Sequence, residues 1–220
     1  NDKSPWLIFE DGRLDRHKLM EKLFNKIGTA KDYIEDKEEL SEGSRKVTFL
    51  GSSWFKYSDE NPSEHIDIFD RDEAEKYVKS FLSGLGLYIP QYKLDNFVVN
   101  PDNSITFHYI EKKNGFLVFD NFTVVTLAGG GVSSLEYKHR EIKGFTSDSL
   151  PVLPAYKILL KNFSYGENIT ITGIDIGFKG YKPEQEIKEY SEAPAWRITI
   201  KGGTPRFFKA SDGEEIKELQ

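Results

Sequence analysis

The stretch from Ile169 to Gly213, ITITGIDIGFKGYKPEQEIKEYSEAPAWRITIKGGTPRFFKASDG, restricts the fold of this chain more than any other. It alternates with the period of two that belongs to strands. Ile169 and Ile171 share one face, with Thr170 and Thr172 opposite. Beyond Gly173 the apolar set becomes Ile174, Ile176 and Phe178, opposite Asp175 and Lys179. Such a slip of phase turns the core face outward unless a bulge absorbs one residue. Gly173 tolerates the backbone a bulge can require, and Asp175 and Lys179 then need solvent or partners. After a Pro- and Glu-rich excursion, Trp196, Ile198 and Ile200 face one way and Arg197, Thr199 and Lys201 the other. Pro194 falls at the strand start, where its missing N–H does no harm. Gly202-Gly203 predicts a tight hairpin into a third strand over 206–210. The expected product is a twisted antiparallel sheet with an aromatic anchor and an edge.

Upstream, Trp6 to Phe9 reads as a short strand ended by Asp11-Gly12. Leu14 to Ile27 is amphipathic, with Leu19, Met20, Leu23, Phe24 and Ile27 on one face and Gly28 as the stop. Asp32 to Gly43 is acidic and reads as a solvated loop or a loose helical turn. Val47 to Tyr57 and Ile66 to Phe69 are expected as two strands joined around Pro62. The clearest helix is capped by Asp70 or Asp72, carries the stripe Ala74, Tyr77, Val78, Phe81, Leu82 and Leu85, and ends at Gly86. Strand-like runs follow over 97–99, 105–110, 116–127 and 135–142, with Asn114-Gly115 as a strong hairpin signal. A third helix over 154–163 is expected to turn Tyr156, Leu159, Leu160 and Phe163 inward, and Glu214 to Gln220 reads as a solvated tail. This order gives an α+β fold, antiparallel meanders packed with about three amphipathic helices. Two small domains are expected, 1–91 and 92–220.

The totals narrow the function. Apolar residues at 38% and aromatics at 14% suffice for a real core, and the charged 30% is interspersed rather than blocked. A net charge of −6 with scattered basic residues argues against nucleic acid. With no cysteine there is no disulfide framework, thiolate zinc site or Cys nucleophile. No apolar run approaches the roughly 20 residues of a membrane span. Because the chain starts at Asn1 and its one methionine is Met20, it is expected to derive from a longer product whose upstream segment is a signal peptide or membrane anchor.

Chemistry-bearing constellations are weak. Gly129-Gly130-Gly131 follows a strand but precedes another, whereas a phosphate loop needs a helix N-terminus, so a hairpin turn is the reading. His17, His65, His108 and His139 form no metal-spaced pair; His65 and Asp67 alone could share a strand face. No Gly-x-Ser-x-Gly elbow exists. Asp175 and Glu136 could in principle flank a sugar bond, but with 36 acids chance pairs are expected. The sequons at Asn121, Asn162 and Asn168 are read as coincidence. Catalytic, metal and cofactor residues are therefore expected to be none. Tyr181, Trp196, Arg197 and Phe207 are the candidates for partner contact, with the core as the ordinary home of a mid-strand Trp.

Three segments carry a family likeness: Ile174-Asp-Ile-Gly-Phe-Lys-Gly-Tyr181, Ala193-Pro-Ala-Trp-Arg-Ile198 and Phe207-Phe-Lys-Ala-Ser-Asp-Gly213. With the helix and meander ahead of them, they resemble the YycI family over about 70–213. That resemblance implies a non-enzymatic, extracytoplasmic accessory protein of Gram-positive bacteria, held by one N-terminal transmembrane helix not contained in this chain. Its implied partners are the WalK (YycG) sensor histidine kinase and the related YycH, in a two-component system touching cell-wall metabolism. Pairing of two copies is left open. The strand-hairpin units also look like PepSY-type modules, which makes a protease inhibitor or peptide binder the alternative. A cell-wall hydrolase with a hidden carboxylate pair ranks third.

Overall fold

The computed structural model describes residues 2–10, 12–24, 38–62, 66–163, 168–180 and 191–217. Its contacts divide the chain into two compact units interleaved along the sequence: Asn1–Asp11, Lys112–Asp120 and Glu141–Gln220, and Gly12–Glu111 with Asn121–Arg140. The expected cut between residues 91 and 92 falls inside the second unit. The reason is a shared core, in which Ala74, Val78 and Leu82 pack with Tyr92, Phe107 and Tyr109.

In chain order the second unit contains α1 (Arg16–Phe24), β2 (Glu39–Glu42), β3 (Arg45–Phe49), β4 (Trp54–Asp59), α2 (Arg71–Leu85), β5 (Tyr92–Val99), most of β6 (Ile105–Lys113), the later part of β7 (Phe116–Ala128), and β8 (Gly131–Lys138). Its strands run in the order β5-β6-β7-β8-β4-β3-β2. Helix α2 forms as its sequence dictates. Asp70 accepts from the amides of Asp72 and Glu73, whose own carboxylates suit the positive helix end. Gly86 closes it at φ 77°, and Leu87 N–H bonds the Leu82 carbonyl. Ala74, Val78 and Leu82 are buried beneath it, each large aliphatic side chain contributing about 1.5–3 kcal/mol. Asn114 and Gly115 turn β6 into β7 at φ 50° and 91°, the left-handed pair that matches strand twist.

The first unit is built from β1 (Lys3–Phe9), the start of β7, β9 (Ile142–Pro151), α3 (Ala155–Asn162), β10 (Ile171–Lys179), β11 (Ser191–Ile200), β12 (Arg206–Lys209) and β13 (Glu215–Ile216). Strands β13-β12-β11-β10 are antiparallel, and β10 then meets β7 in parallel at Gly177↔Leu117. Strand β1 pairs with both β11 and β9. One core cluster gathers Leu7, Phe9, Val118 and Phe178, and another sets Ile158 of α3 on Ile198 and Phe208.

The bulge falls where the phase slip put it: Ile171 opposes Ile200 but Gly173 opposes Thr199, so one residue is extra on β10. A Cβ on Gly173 would stand 3.3 Å from the Thr199 side chain, a close approach that favours glycine there. Several local expectations change. Part of the acidic 32–43 stretch is strand β2, paired Glu39↔Thr48 through Glu42↔Arg45; residues 25–37 lie outside the described set. The 47–57 run is a hairpin of two strands, and Ile66 to Phe69 is a turn into α2 rather than a strand. Residues 142–151 form β9, and the tail adds β13, because β1 and β12 supply the partners. On α3, Ile158 is the buried residue, while Tyr156 and Leu160 are 58% and 75% exposed.

Candidate functional site

Arg197 and Phe207 are neighbours, directly opposed across β11 and β12. Both belong to a layer on one face of the first unit's sheet. Arg197 donates from Nε and Nη2 to Asp175 Oδ2 at 3.1 and 2.8 Å, and its guanidinium sits 5.3 Å from the centre of the Phe119 ring. Phe119 meets Phe207 edge to face at 5.1 Å. Lys179 Nζ lies 4.7 Å from the Phe207 ring and 3.1 Å from Asp120 Oδ1, while Gly180 N–H donates to Asp120 Oδ2 at 2.8 Å. Each cation thus rests on a ring and against a carboxylate. Contacts of this kind are worth about 0.5–2 kcal/mol apiece, more when desolvated. The layer stiffens the sheet.

Trp196 points to the opposite face. Its indole Nε1–H donates to the Leu153 carbonyl at 2.9 Å, tying the segment before α3 to the sheet, and the ring packs beside Ile158, Ile198 and Phe208. Tyr181 lies outside the described residues. The structure therefore brings Arg197 and Phe207 together and sets Trp196 apart from them.

Surface apolar groups that sequence reasoning missed are Tyr156 and Leu160, one turn apart on α3, and Phe69 before α2. One sign of the first pair was present: Tyr156, Ile158, Leu159 and Leu160 lie too far around a helix to be buried together.

Electrostatic perturbations follow packing. Burial pushes the Tyr92, Tyr109 and Tyr137 phenols up and the His108 imidazole down, so each is neutral near pH 7. Asp175 is matched by Arg197; Glu136, in the other unit, accepts from Trp54 Nε1 at 3.0 Å and lies 3.5 Å from Lys56 Nζ. Among the described residues no group of three or more His, Asp or Glu side chains could hold a metal ion, and His65 is outside them. Asn121 is fully buried, its amide donating to Glu111 Oε2 and the Arg140 carbonyl and accepting from Arg140 N–H, so its sequon is a packing feature.

The chain is a sheet-rich α+β protein whose buried cations are matched by carboxylates on neighbouring strands. It belongs to the YycI family: the family model described as YycI protein matches residues 21–211. That family is regulatory and non-catalytic, works in the context of the YycG (WalK) two-component system with YycH, and is membrane-associated and extracytoplasmic. Among solved structures the chain is similar to the Bacillus megaterium YpeB C-terminal domain, at 16% identity and a TM-score of 0.47, covering 94% of this chain and 97% of that one. No curated protein matches it. Among the described residues no helix is long and apolar enough to cross a membrane.

Proposed function

We propose that this chain is the extracytoplasmic part of a membrane-anchored accessory protein that binds the sensor histidine kinase YycG (WalK) and modulates its activity together with a YycH-like partner. The observation that carries this reading is the family match across residues 21–211. Physical chemistry supports it. A regulator tethered in the kinase's own membrane meets it at high effective concentration, so a modest interface suffices. Open strands such as β9, which pairs with β1 alone among the described strands, are of the type that accept a partner segment.

The test is co-purification of the tagged full-length gene product from membranes containing the kinase and the YycH-type protein. Recovery of both, with kinase autophosphorylation changed at least about twofold when the accessory proteins are reconstituted, is the expected result. Recovery of neither, with autophosphorylation unaltered, sinks the reading.

A further inference from the structure

A groove of about 610 Å³ opens in the second unit among three turns: Ile66–Phe69 ahead of α2, Asp102–Ser104 between β5 and β6, and Ala128–Gly130 between β7 and β8. Phe69 is 74% exposed at this groove, and Ile68 beside it is buried. The Phe69 N–H donates to Asp67 Oδ1 at 2.9 Å, which holds the ring's backbone in a closed turn. An aromatic presented on a fixed backbone is a ready anchor for an apolar group.

The groove is also built in advance. Asp102 Oδ1 accepts from Ser104 N–H at 3.0 Å and from its hydroxyl at 2.7 Å. Asn100 Nδ2 donates to Ser104 Oγ and to Thr106 Oγ1, both at 2.9 Å, and Thr106 Oγ1 lies 3.1 Å from Thr126 Oγ1. This network ties the β5–β6 turn to β7, so little ordering remains to oppose binding. Gly129 and Gly130 adopt φ 63° and 119°, conformations that call for glycine, and they leave that wall bare of side chains where a partner's backbone can approach.

Among the described residues, the charge on the lining has one sign: Asp67 and Asp102 are the ionisable ones there, and none of the lining residues is basic. Each commits Oδ1 to its own turn. Hydrogen bonds from Ser104 hold the Asp102 carboxyl below the usual carboxylate range, so it stays anionic.

We propose that this groove receives an extended segment of a partner protein in which an apolar side chain sits next to an arginine or lysine. The apolar group packs on Phe69 and Ile66, and the cation meets Asp67 and Asp102. The apolar ring and the preformed turns define the site; the two carboxylates select the sign of the occupant. This inference is independent of kinase association, since it concerns what one groove of this chain recognises.

The probe is the peptide acetyl-Gly-Leu-Arg-Leu-Gly-amide, titrated into the ¹⁵N-labelled chain while the backbone amides of Asn103, Gly129 and Gly130 are followed. Saturable shifts confined to this region are expected, weakened at least about tenfold in Phe69→Ser and in the double variant Asp67→Asn/Asp102→Asn. Asparagine keeps the turn-closing oxygen, and unchanged amides elsewhere establish that each variant is folded. The glutamate analogue of the peptide should not saturate, and added salt should weaken the arginine peptide. Four outcomes overturn the proposal: no shifts, equal binding of the arginine and glutamate peptides, saturation by calcium chloride but not peptide, or shifts reproduced by concentrating the chain alone.

Discussion

Lys179 reaches Asp120 across 3.1 Å, and the two side chains are only 9% and 11% exposed. Both charges have left water, so the pair is stabilising only while intact. Lys179→Met should cost about 3–5 kcal/mol by leaving the buried Asp120 carboxylate without this cation, whereas adding Asp120→Leu to it should recover much of that loss. Urea unfolding of both variants measures this; equal losses in single and double variants would show that the pair is not a unit.

Gly177 tolerates no side chain. A Cβ there would collide with the Leu117 carbonyl oxygen and come within 2.8 Å of the Phe119 ring, at the parallel junction of β10 and β7. Gly177→Ala is expected to destabilise the first unit by more than about 2 kcal/mol, because backbone cannot yield as a flexible side chain can. A melting temperature within 2–3 °C of the parent, a shift of less than about 1 kcal/mol, contradicts this.

Acid stability should depend on Asp59. Burial pushes its carboxyl up, but hydrogen bonds from Ser44 and the Asn61 amide, with the Arg45 charge, outweigh burial and hold it below its ordinary value of 3.8. The folded state thus favours the carboxylate. Its stabilisation is complete above the unfolded value and fades as pH falls through the lower folded one. Asp59→Asn should lower stability at neutral pH and flatten the acid limb of the stability curve below about pH 4. Parallel curves for parent and variant would refute the assignment.

The two faces of α3 make opposite predictions. Ile158 is fully buried against Ile198 and Phe208, so Ile158→Ala should cost about 2–4 kcal/mol. Leu160→Ala, in solvent, should change stability by less than about 0.5 kcal/mol. Reversal of that order in thermal melts would mean that the helix is rotated.

Asn121 saturates its amide with Glu111 and both backbone groups of Arg140. Asn121→Ala leaves these buried groups short of partners, each worth about 1–3 kcal/mol, so a total loss above about 2 kcal/mol is expected. Hydrogen exchange at the Arg140 amide should quicken most. A variant with unchanged exchange there would remove Asn121 from this role.

What the sequence determined by itself was a set of features that depend on near neighbours. The cap at Asp70, the stop at Gly86, the Asn114-Gly115 hairpin and the bulge before Gly173 were legible because turn chemistry and strand phase act over a few residues. The family likeness rested on the same kind of local pattern, in segments around Tyr181, Trp196 and Phe207.

Only the tertiary structure decided which face went inward and which strands met. Helix α3 carries apolar side chains most of the way round, and the position of the sheet beneath it chose Ile158. Strand β9 is polar along much of its length and became a strand because β1, some 140 residues away, supplies its hydrogen bonds. Lys179 needs solvent or a partner by its sequence; the fold supplies the partner, Asp120, from 59 residues upstream. The groove beside Phe69 exists only where three turns converge. Pairings over such distances are set by the summed burial and hydrogen bonding of the whole chain, which no short window of sequence contains.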